Sequence, residues 1–185
     1  MNKRRILALV LACVLCVCIG IGGTLAWLTA TTTPVTNTFT TSDIEITLAE
    51  SDNLDLKMVP GYTITKDPKA TVVAGSEDCY LFVKLEKSTN FDDFMTYDIA
   101  DGWTELPGVD GVYYRTVLTA EMGTGFSVLK DDQVEVKNTV TKDHMKNLTQ
   151  TTYPTLKVTA YASQLYKSAS EKFDPAEAWD NVPKA

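Results

Sequence analysis

The residue types that could perform chemistry are few in this chain, and their spacing favours no catalytic centre. His144 is the only histidine among the 185 residues, and it stands in the charged run Lys142-Asp143-His144. A Ser-His-Asp or Cys-His catalytic group would have to use it, and the sequence contains no His-Glu-x-x-His pair to bind zinc. Neither standard spacing of a glycine-rich phosphate-binding loop occurs. We therefore predict that the protein is not an enzyme and has no cofactor.

Adjacent acidic residues are the one feature that could hold a metal ion. The pairs are Asp92-Asp93 and Asp131-Asp132, and carboxylate oxygens are ligands for Ca²⁺. However, their spacing does not match an EF-hand loop, and neighbouring residues of a strand point to opposite faces of a sheet. Solvated loop carboxylates explain these pairs without a metal, so no metal ligand is predicted and calcium remains the alternative.

Five aromatic residues offer a different possibility, a face that binds carbohydrate or a partner protein. The alternative is that part of the set lies in the core while the others cover strand edges, and we favour this second interpretation. The set consists of Trp103, Tyr113, Tyr114, Tyr153 and Tyr161.

The first residues of the chain have the pattern of an export signal. Lys3, Arg4 and Arg5 precede the uncharged apolar run of residues 6–21, and small residues follow. A basic start, an apolar middle and a small-residue exit are typical of a secretory signal peptide. We predict a signal over residues 1–26, with cleavage between Ala26 and Trp27.

Two alternatives to cleavage remain open. The uncharged stretch from residue 6 to residue 27 is long enough to span a bilayer, so a retained membrane anchor is possible. Cys13 could carry a lipid, although the sequence after it stays apolar where a polar tether is expected. Gly22-Gly23 breaks the helix and favours cleavage.

Composition limits the partners of the part that follows the signal. Residues 27–185 suit one domain, and they carry 14 basic and 24 acidic side chains, with Arg115 the only arginine. A net charge of −10 argues against nucleic acid or an anionic membrane as a partner, because both require clustered Lys and Arg. We expect contact with the membrane only through an uncleaved signal.

Cysteine usage excludes a disulfide within that domain. Three of the four cysteines lie in the predicted signal, and only Cys79 follows it. Beside the apolar run Tyr80-Leu81-Phe82-Val83, it is expected to be a small buried hydrophobic residue. An intermolecular disulfide is the alternative.

The sequence of residues 27–185 predicts a series of short strands. Residues 43–48 alternate polar with apolar side chains, which predicts a strand with one buried face, and β-branched residues 35–40 form another extended candidate. Asp110-Gly111 between apolar residues indicates a hairpin. The other predicted strands are residues 70–74, 79–87, 112–118, 126–129, 134–137 and 155–165.

Helix is expected at two places only. Asp174-Pro175-Ala176-Glu177 combines an N-cap, a proline at the first helical position and a capping-box glutamate, so it predicts a short helix through Trp179. Residues 141–148 are a second candidate, capped by Thr141, with Met145 and Leu148 facing inward. Many short strands with few helices predict an all-β, jelly-roll-like antiparallel β-sandwich.

Several short motifs resemble the TasA/camelysin family, exported proteins of Gram-positive bacteria whose signal is cut by the dedicated peptidase SipW. The most specific part is the junction of signal and first strand, and the other motifs are spread over nearly the whole chain. The matching segments are residues 22–29, 37–40, 43–48, 59–61, 66–68, 79–85, 113–114, 160–164 and 178–179.

The resemblance implies a secreted jelly-roll protein of the extracellular matrix or cell surface, in many relatives a fibre subunit of the biofilm matrix. Cleavage would free residues 27–41 to add as a strand to the sheet of the next subunit, ahead of a sandwich domain at residues 42–185. Val35, Asn37, Phe39 and Thr41 would share one face of that strand, with Phe39 as the anchor. The partners implied are further copies of the chain and a SipW-type signal peptidase.

Two other interpretations remain open. Residues 35–41 could be an ordinary first strand of their own sheet. The protein could also be a monomeric extracellular module that binds glycan or protein, since fibre formation rests on analogy with the family.

Overall fold

A computed structural model describes residues 43–51 and 57–184. The predicted cleavage site at Ala26 and Trp27 and the predicted assembly residues Val35, Asn37, Phe39 and Thr41 lie outside these residues. Within the described ranges, none of the helices has the length or the apolar character needed to span a bilayer.

The described chain is mostly antiparallel β-sheet with three short helices, which confirms the all-β prediction. Single 3₁₀ turns occur at Thr119–Glu121 and Lys130–Asp132. The helices are α1 (Phe91–Phe94), α2 (Lys142–Met145) and α3 (Pro175–Asp180). The strands are β1 (Ile46–Ala49), β2 (Thr63–Thr65), β3 (Lys69–Val72), β4 (Cys79–Lys87), β5 (Met95–Thr96), β6 (Thr104–Glu105), β7 (Val112–Val117), β8 (Gly125–Ser127), β9 (Gln133–Val136), β10 (Leu156–Gln164), β11 (Tyr166–Ser168) and β12 (Glu171–Lys172).

These strands form three sheets and one small hairpin. The largest sheet has the order β10-β4-β7-β6, and the two three-stranded sheets have the orders β1-β3-β8 and β2-β9-β5. β11 and β12 pair with each other. Every pairing is antiparallel, as expected for strands joined by short turns.

Strand β4 is central to the described domain, because residues 79–83 are buried on both faces of the strand. It pairs with β10 along its full length, from Cys79 opposite Gln164 to Lys87 opposite Leu156. On one face Leu81, Val83 and Leu85 contact residues of both three-stranded sheets, and we call this the first core.

The other face of β4 carries Tyr80 and Phe82, which pack in a second core. Helix α3 covers that core with Trp179, whose ring centroid lies 5.3 Å from that of Phe82. Both cores therefore depend on one strand, and the continuous apolar run of residues 79–83 is the sequence signal of such two-sided burial.

Capping hydrogen bonds explain why α3 and α2 begin where the sequence predicts. Asp174 accepts a hydrogen bond from the Ala176 backbone N–H at 2.9 Å, and Glu177 Oε2 accepts one from the Asp174 N–H at 3.1 Å. This capping box confirms the predicted start of α3. Thr141 likewise caps α2, which is shorter than predicted, and Met145 and Leu148 pack against the first core as expected.

The first predicted strand needs a correction. β1 begins only at Ile46. Ile44 and Ile46 alternate with exposed neighbours and pack half-buried against the first core, as the pattern predicts, whereas Leu48 is 38% exposed. The carbonyls of Asp43 and Glu45 accept hydrogen bonds from the N–H groups of Glu77 and Val73. The start of the predicted strand is thereby held in a loop, and β1 is an edge strand.

The predicted turn at Asp110-Gly111 lies in a longer connection than expected. Residues 106–111 join β6 to β7, which pair as a hairpin. Gly111 has φ +70°, and a Cβ atom at this position would lie 2.5 Å from the carbonyl oxygen of Leu85. The Leu85 N–H also donates to the Gly111 carbonyl at 2.8 Å. Only glycine allows this close approach of the two backbones.

Candidate functional site

The only histidine takes part in a helix cap. His144 is exposed on α2, where its Nδ1 accepts a hydrogen bond from the Thr141 backbone N–H at 3.4 Å. Its own backbone N–H donates to Thr141 Oγ1 at 3.3 Å. The ring is thus engaged at the surface, as the sequence indicated, and it lies outside both core clusters.

The acidic pairs form ion pairs with lysines. Asp92 Oδ2 lies 2.6 Å from Lys87 Nζ, and Asp132 Oδ2 lies 3.8 Å from Lys69 Nζ. Asp131 and Asp132 both have positive φ angles, 55° and 54°, in the turn that leads into β9. No group of three or more metal-ligating side chains occurs within residues 43–51 and 57–184.

Cys79 is fully buried in the first core, as predicted. Burial, followed by the negative charge of Asp78, raises the pKa of its thiol to about 11. A protonated thiol without solvent contact is a poor nucleophile. The same burial argues against the alternative of an intermolecular disulfide.

The five aromatic residues do not form one face. Trp103 and Tyr113 pack against the first core, whereas Tyr114 and Tyr161 pack against the second core on the other side of the large sheet. Tyr153 is 52% exposed. The favoured interpretation, a division between core and edges, accounts for four of the five.

The described residues form an apolar groove that the sequence analysis missed, with a volume of about 890 Å³. It lies where β2, β9 and the start of β10 approach α1 and α2. Its rim includes the exposed side chains of Val59 and Tyr153. The lining residues are Lys57, Met58, Val59, Ile64, Lys66, Phe91, Met95, Val134, Met145, Leu148, Tyr153, Pro154, Thr155 and Leu156.

The chemistry of the apolar groove suits an apolar side chain better than a polar reactant. Its lining contains no acidic residue, and Lys66, one of its two lysines, pairs with Glu50 at 2.9 Å. Three methionines, at 58, 95 and 145, contribute flexible and polarisable surface. Such a lining adapts its shape to the group that it binds.

The groove adjoins one end of β10, an edge strand of the large sheet. Among the described residues β10 pairs with β4 alone, and β1 of another sheet lies close to it without pairing. A smaller cavity of about 350 Å³ marks the opposite end of β10, lined by Ile44, Asn181 and residues 162–164. β10 therefore presents an outer edge with a cavity at each end.

One feature of the sequence, large apolar residues in loops, indicates the groove although it matches no motif. Met58, Val59 and the Tyr153-Pro154 pair are large apolar residues in segments without strand or helix periodicity. Apolar side chains in loops often mark binding surfaces. Only the fold shows that these separate segments meet.

Comparison of the chain with protein-family models, with curated proteins and with solved structures finds no match.

Proposed function

We propose that this protein is a secreted structural subunit that polymerises into fibres of the extracellular matrix or cell surface. In this proposal the sheets form a jelly-roll-like sandwich, residues 1–26 are an export signal, and a SipW-type peptidase cuts between Ala26 and Trp27. The freed residues 27–41 of one copy then add as a strand to the next copy. The proposal needs no catalytic residue and no cofactor.

The observation that carries the proposal is the outer edge of β10 with the apolar groove at one end. An edge strand presents backbone N–H and C=O groups that can pair with an incoming strand. At about 3.3 Å per residue, residues 35–41 extend over roughly 20 Å. The nine residues of β10 provide an edge long enough to receive them.

Side chains would fix the register of the added strand. Val35, Asn37, Phe39 and Thr41 share one face of an extended segment because the side-chain period of a strand is two. Phe39 is the largest of the four, and burying a phenylalanine in an apolar site contributes about 1.5–3 kcal/mol. The methionine-rich groove is the site that we assign to it.

The cleavage reaction would control the timing of assembly. Before cleavage, residues 27–41 are attached to the apolar segment of residues 6–21 and are held at the membrane. After cleavage the segment has a free end and can enter a neighbouring subunit. Assembly is thus confined to the outside of the cell.

Electron microscopy of two purified forms tests the proposal. Residues 27–185 and residues 42–185 are concentrated separately and imaged by negative stain. We expect fibres from the longer form alone, because only it carries the added strand. Single particles from both forms would contradict self-assembly and favour the monomeric binding module, whereas fibres from both would contradict strand addition.

A mixing experiment tests the donor and acceptor roles separately. Phe39→Asp places a charge where an apolar anchor is required, so this subunit should accept a strand but not donate one. Leu148→Asp alters the half-buried groove lining, so this subunit should donate but not accept. Each variant alone should stay monomeric, and the mixture should give a defined heterodimer by size-exclusion chromatography with light scattering.

Two matched variants control for charge alone. Thr40→Asp adds the same charge on the opposite face of the donor segment, and Gln150→Asp adds it at an exposed position outside the groove lining. Both should assemble like the unmodified protein. Fibres of normal length from Phe39→Asp would refute the assigned anchor.

A further inference from the structure

Arg115 lies on β7 between two aromatic rings. Its guanidinium carbon is 3.6 Å from the ring centroid of Phe126 and 5.5 Å from that of Trp103. Trp103 is itself fixed, because its indole N–H donates to the Ser127 carbonyl at 2.8 Å. The cation is therefore held in one orientation by packing.

This guanidinium has no hydrogen-bonding or ion-pair partner within the part of the chain that the structure describes. Its Nε is buried and without an acceptor. The nearest acidic influence is Glu121, whose Oε2 accepts a hydrogen bond from the Leu118 backbone N–H at 3.2 Å. Burial lowers the pKa of Arg115 and the charge of Glu121 partly offsets this, but an arginine remains charged at any physiological pH.

The Nη1 and Nη2 atoms of Arg115 lie beside Gly102, which has no side chain. A Cβ atom at Gly102 would be 3.4 Å from both Nη1 and Nη2, and Gly102 has φ +88°, which disfavours any larger residue. Arg115 as a whole is half-buried. Since Nε is enclosed, the two Nη atoms form the accessible end of the fork.

We propose that Arg115, with Trp103 beside it, binds the carboxylate group of an acidic sugar from outside the subunit. A planar guanidinium matches a carboxylate through two parallel hydrogen bonds, and such charged pairs are stronger than neutral ones. A half-exposed indole next to the cation provides apolar surface for a sugar ring, which a flexible acidic side chain would use less well. This binding site does not depend on strand addition.

The full chain in detergent micelles allows a direct measurement by NMR. The Nε signals of arginine are observed during titration with sodium galacturonate, and Arg4 and Arg5 provide two reference signals in the same sample. The signal that disappears in Arg115→Lys identifies Arg115. We expect a saturable shift of Arg115 and only a small linear drift of Arg4 and Arg5.

Further ligands define the chemistry of the site. Galactose, which lacks the carboxylate, should bind at least tenfold more weakly than galacturonate, and acetate should bind weakly at the same signal. Equal drift of all three arginine signals, or tighter binding of galactose than of galacturonate, would overturn the proposal. Tighter binding of a glutamate-rich peptide than of galacturonate would instead identify an acidic protein as the partner and overturn the sugar assignment.

Two variants separate binding from a purely structural role of the cation. Arg115→Lys keeps the positive charge but loses the planar fork, so affinity for galacturonate should fall at least tenfold while the fold is retained. Glu121→Gln removes a repulsive charge near the site and should raise affinity several-fold. Unchanged affinity in both variants would refute the assignment.

Discussion

The two faces of β4 are closed in different ways. On the second-core face, α3 and the segment that follows it cover Tyr80 and Phe82, and Val182 of that segment is only 6% exposed. On the first-core face, sheet packs against sheet, and the apolar groove remains open beside α2. One side is sealed by the C-terminal segment of the same chain, whereas the other retains an apolar surface that something else can cover.

Stability and recognition reside on different sides of β4. Trp179 makes edge-to-face contact with Tyr161 and a tilted contact with Phe82, each with ring centroids 5.3 Å apart. The groove, in contrast, combines buried core residues such as Ile64 and Phe91 with half-buried side chains of loops and short helices, among them Met58, Met145 and Leu148. We expect changes in the second core to affect folding and changes in the groove to affect assembly.

Truncation in each region should give the largest contrast. Phe82→Ala removes a fully buried ring and should lower the free energy of unfolding by about 3–5 kcal/mol. Leu148→Ala, half-buried in the groove lining, should cost about 1 kcal/mol. Urea unfolding followed by tryptophan fluorescence measures both, and equal losses would show that the groove is as important for folding as the second core.

The second largest effect is expected from alkaline pH, which should lower the free energy of unfolding by ionising two groups in the first core. Burial raises the pKa of the Cys79 thiol from 9.0 to about 11 and that of Tyr97 from 10.0 to about 12. Between the unfolded and folded pKa values, the folded state binds more protons than the unfolded state, so stability must fall as pH rises. The contribution of these two groups to the free energy of unfolding should be constant from neutral pH to about pH 9 and decrease between about pH 9 and 12.

A cysteine variant assigns the first part of this decrease. Cys79→Ala removes the thiol, so its stability should lose the decrease that begins near pH 9 and retain the decrease from Tyr97, which begins near pH 10. Urea unfolding at a series of pH values provides the measurement. An identical slope in both proteins would show that the thiol does not contribute.

The helix caps give a smaller contrast between the same two regions. Asp174→Ala should cost about 1 kcal/mol, because α3 seals the second core. Thr141→Ala should cost less, since none of the residues of α2 is fully buried. Thermal unfolding measures both, with Asp174→Asn as the control that preserves the cap. A larger loss from Thr141→Ala would reverse the proposed division between the two regions.

Sequence reasoning succeeded where local chemistry decides the structure. The bounds of β4 were predicted correctly because residues 79–87 are apolar on both faces over most of their length. The start of α3 follows from Asp174, Pro175 and Glu177, which act on their immediate neighbours. Such signals do not depend on distant parts of the chain.

Sequence reasoning failed where tertiary contacts decide. Strands β2 and β5 have only three and two residues, and pairing with β9, far along the chain, defines them. The groove joins segments as far apart as Met58 and Leu156, so no local pattern could reveal it. The signal cleavage site and the assembly residues stay predictions, since they lie outside the described part of the chain.

The pairing of β4 with β10 also determines when the protein can fold. Cys79 must find Gln164, and the large sheet cannot close until β10 has been synthesised. Pairings over such a sequence distance form slowly, because a long loop must close before any contact stabilises it. For an exported chain, as proposed above, slow folding is an advantage. The polypeptide stays unfolded, and so can be exported, until its last long strand has crossed the membrane.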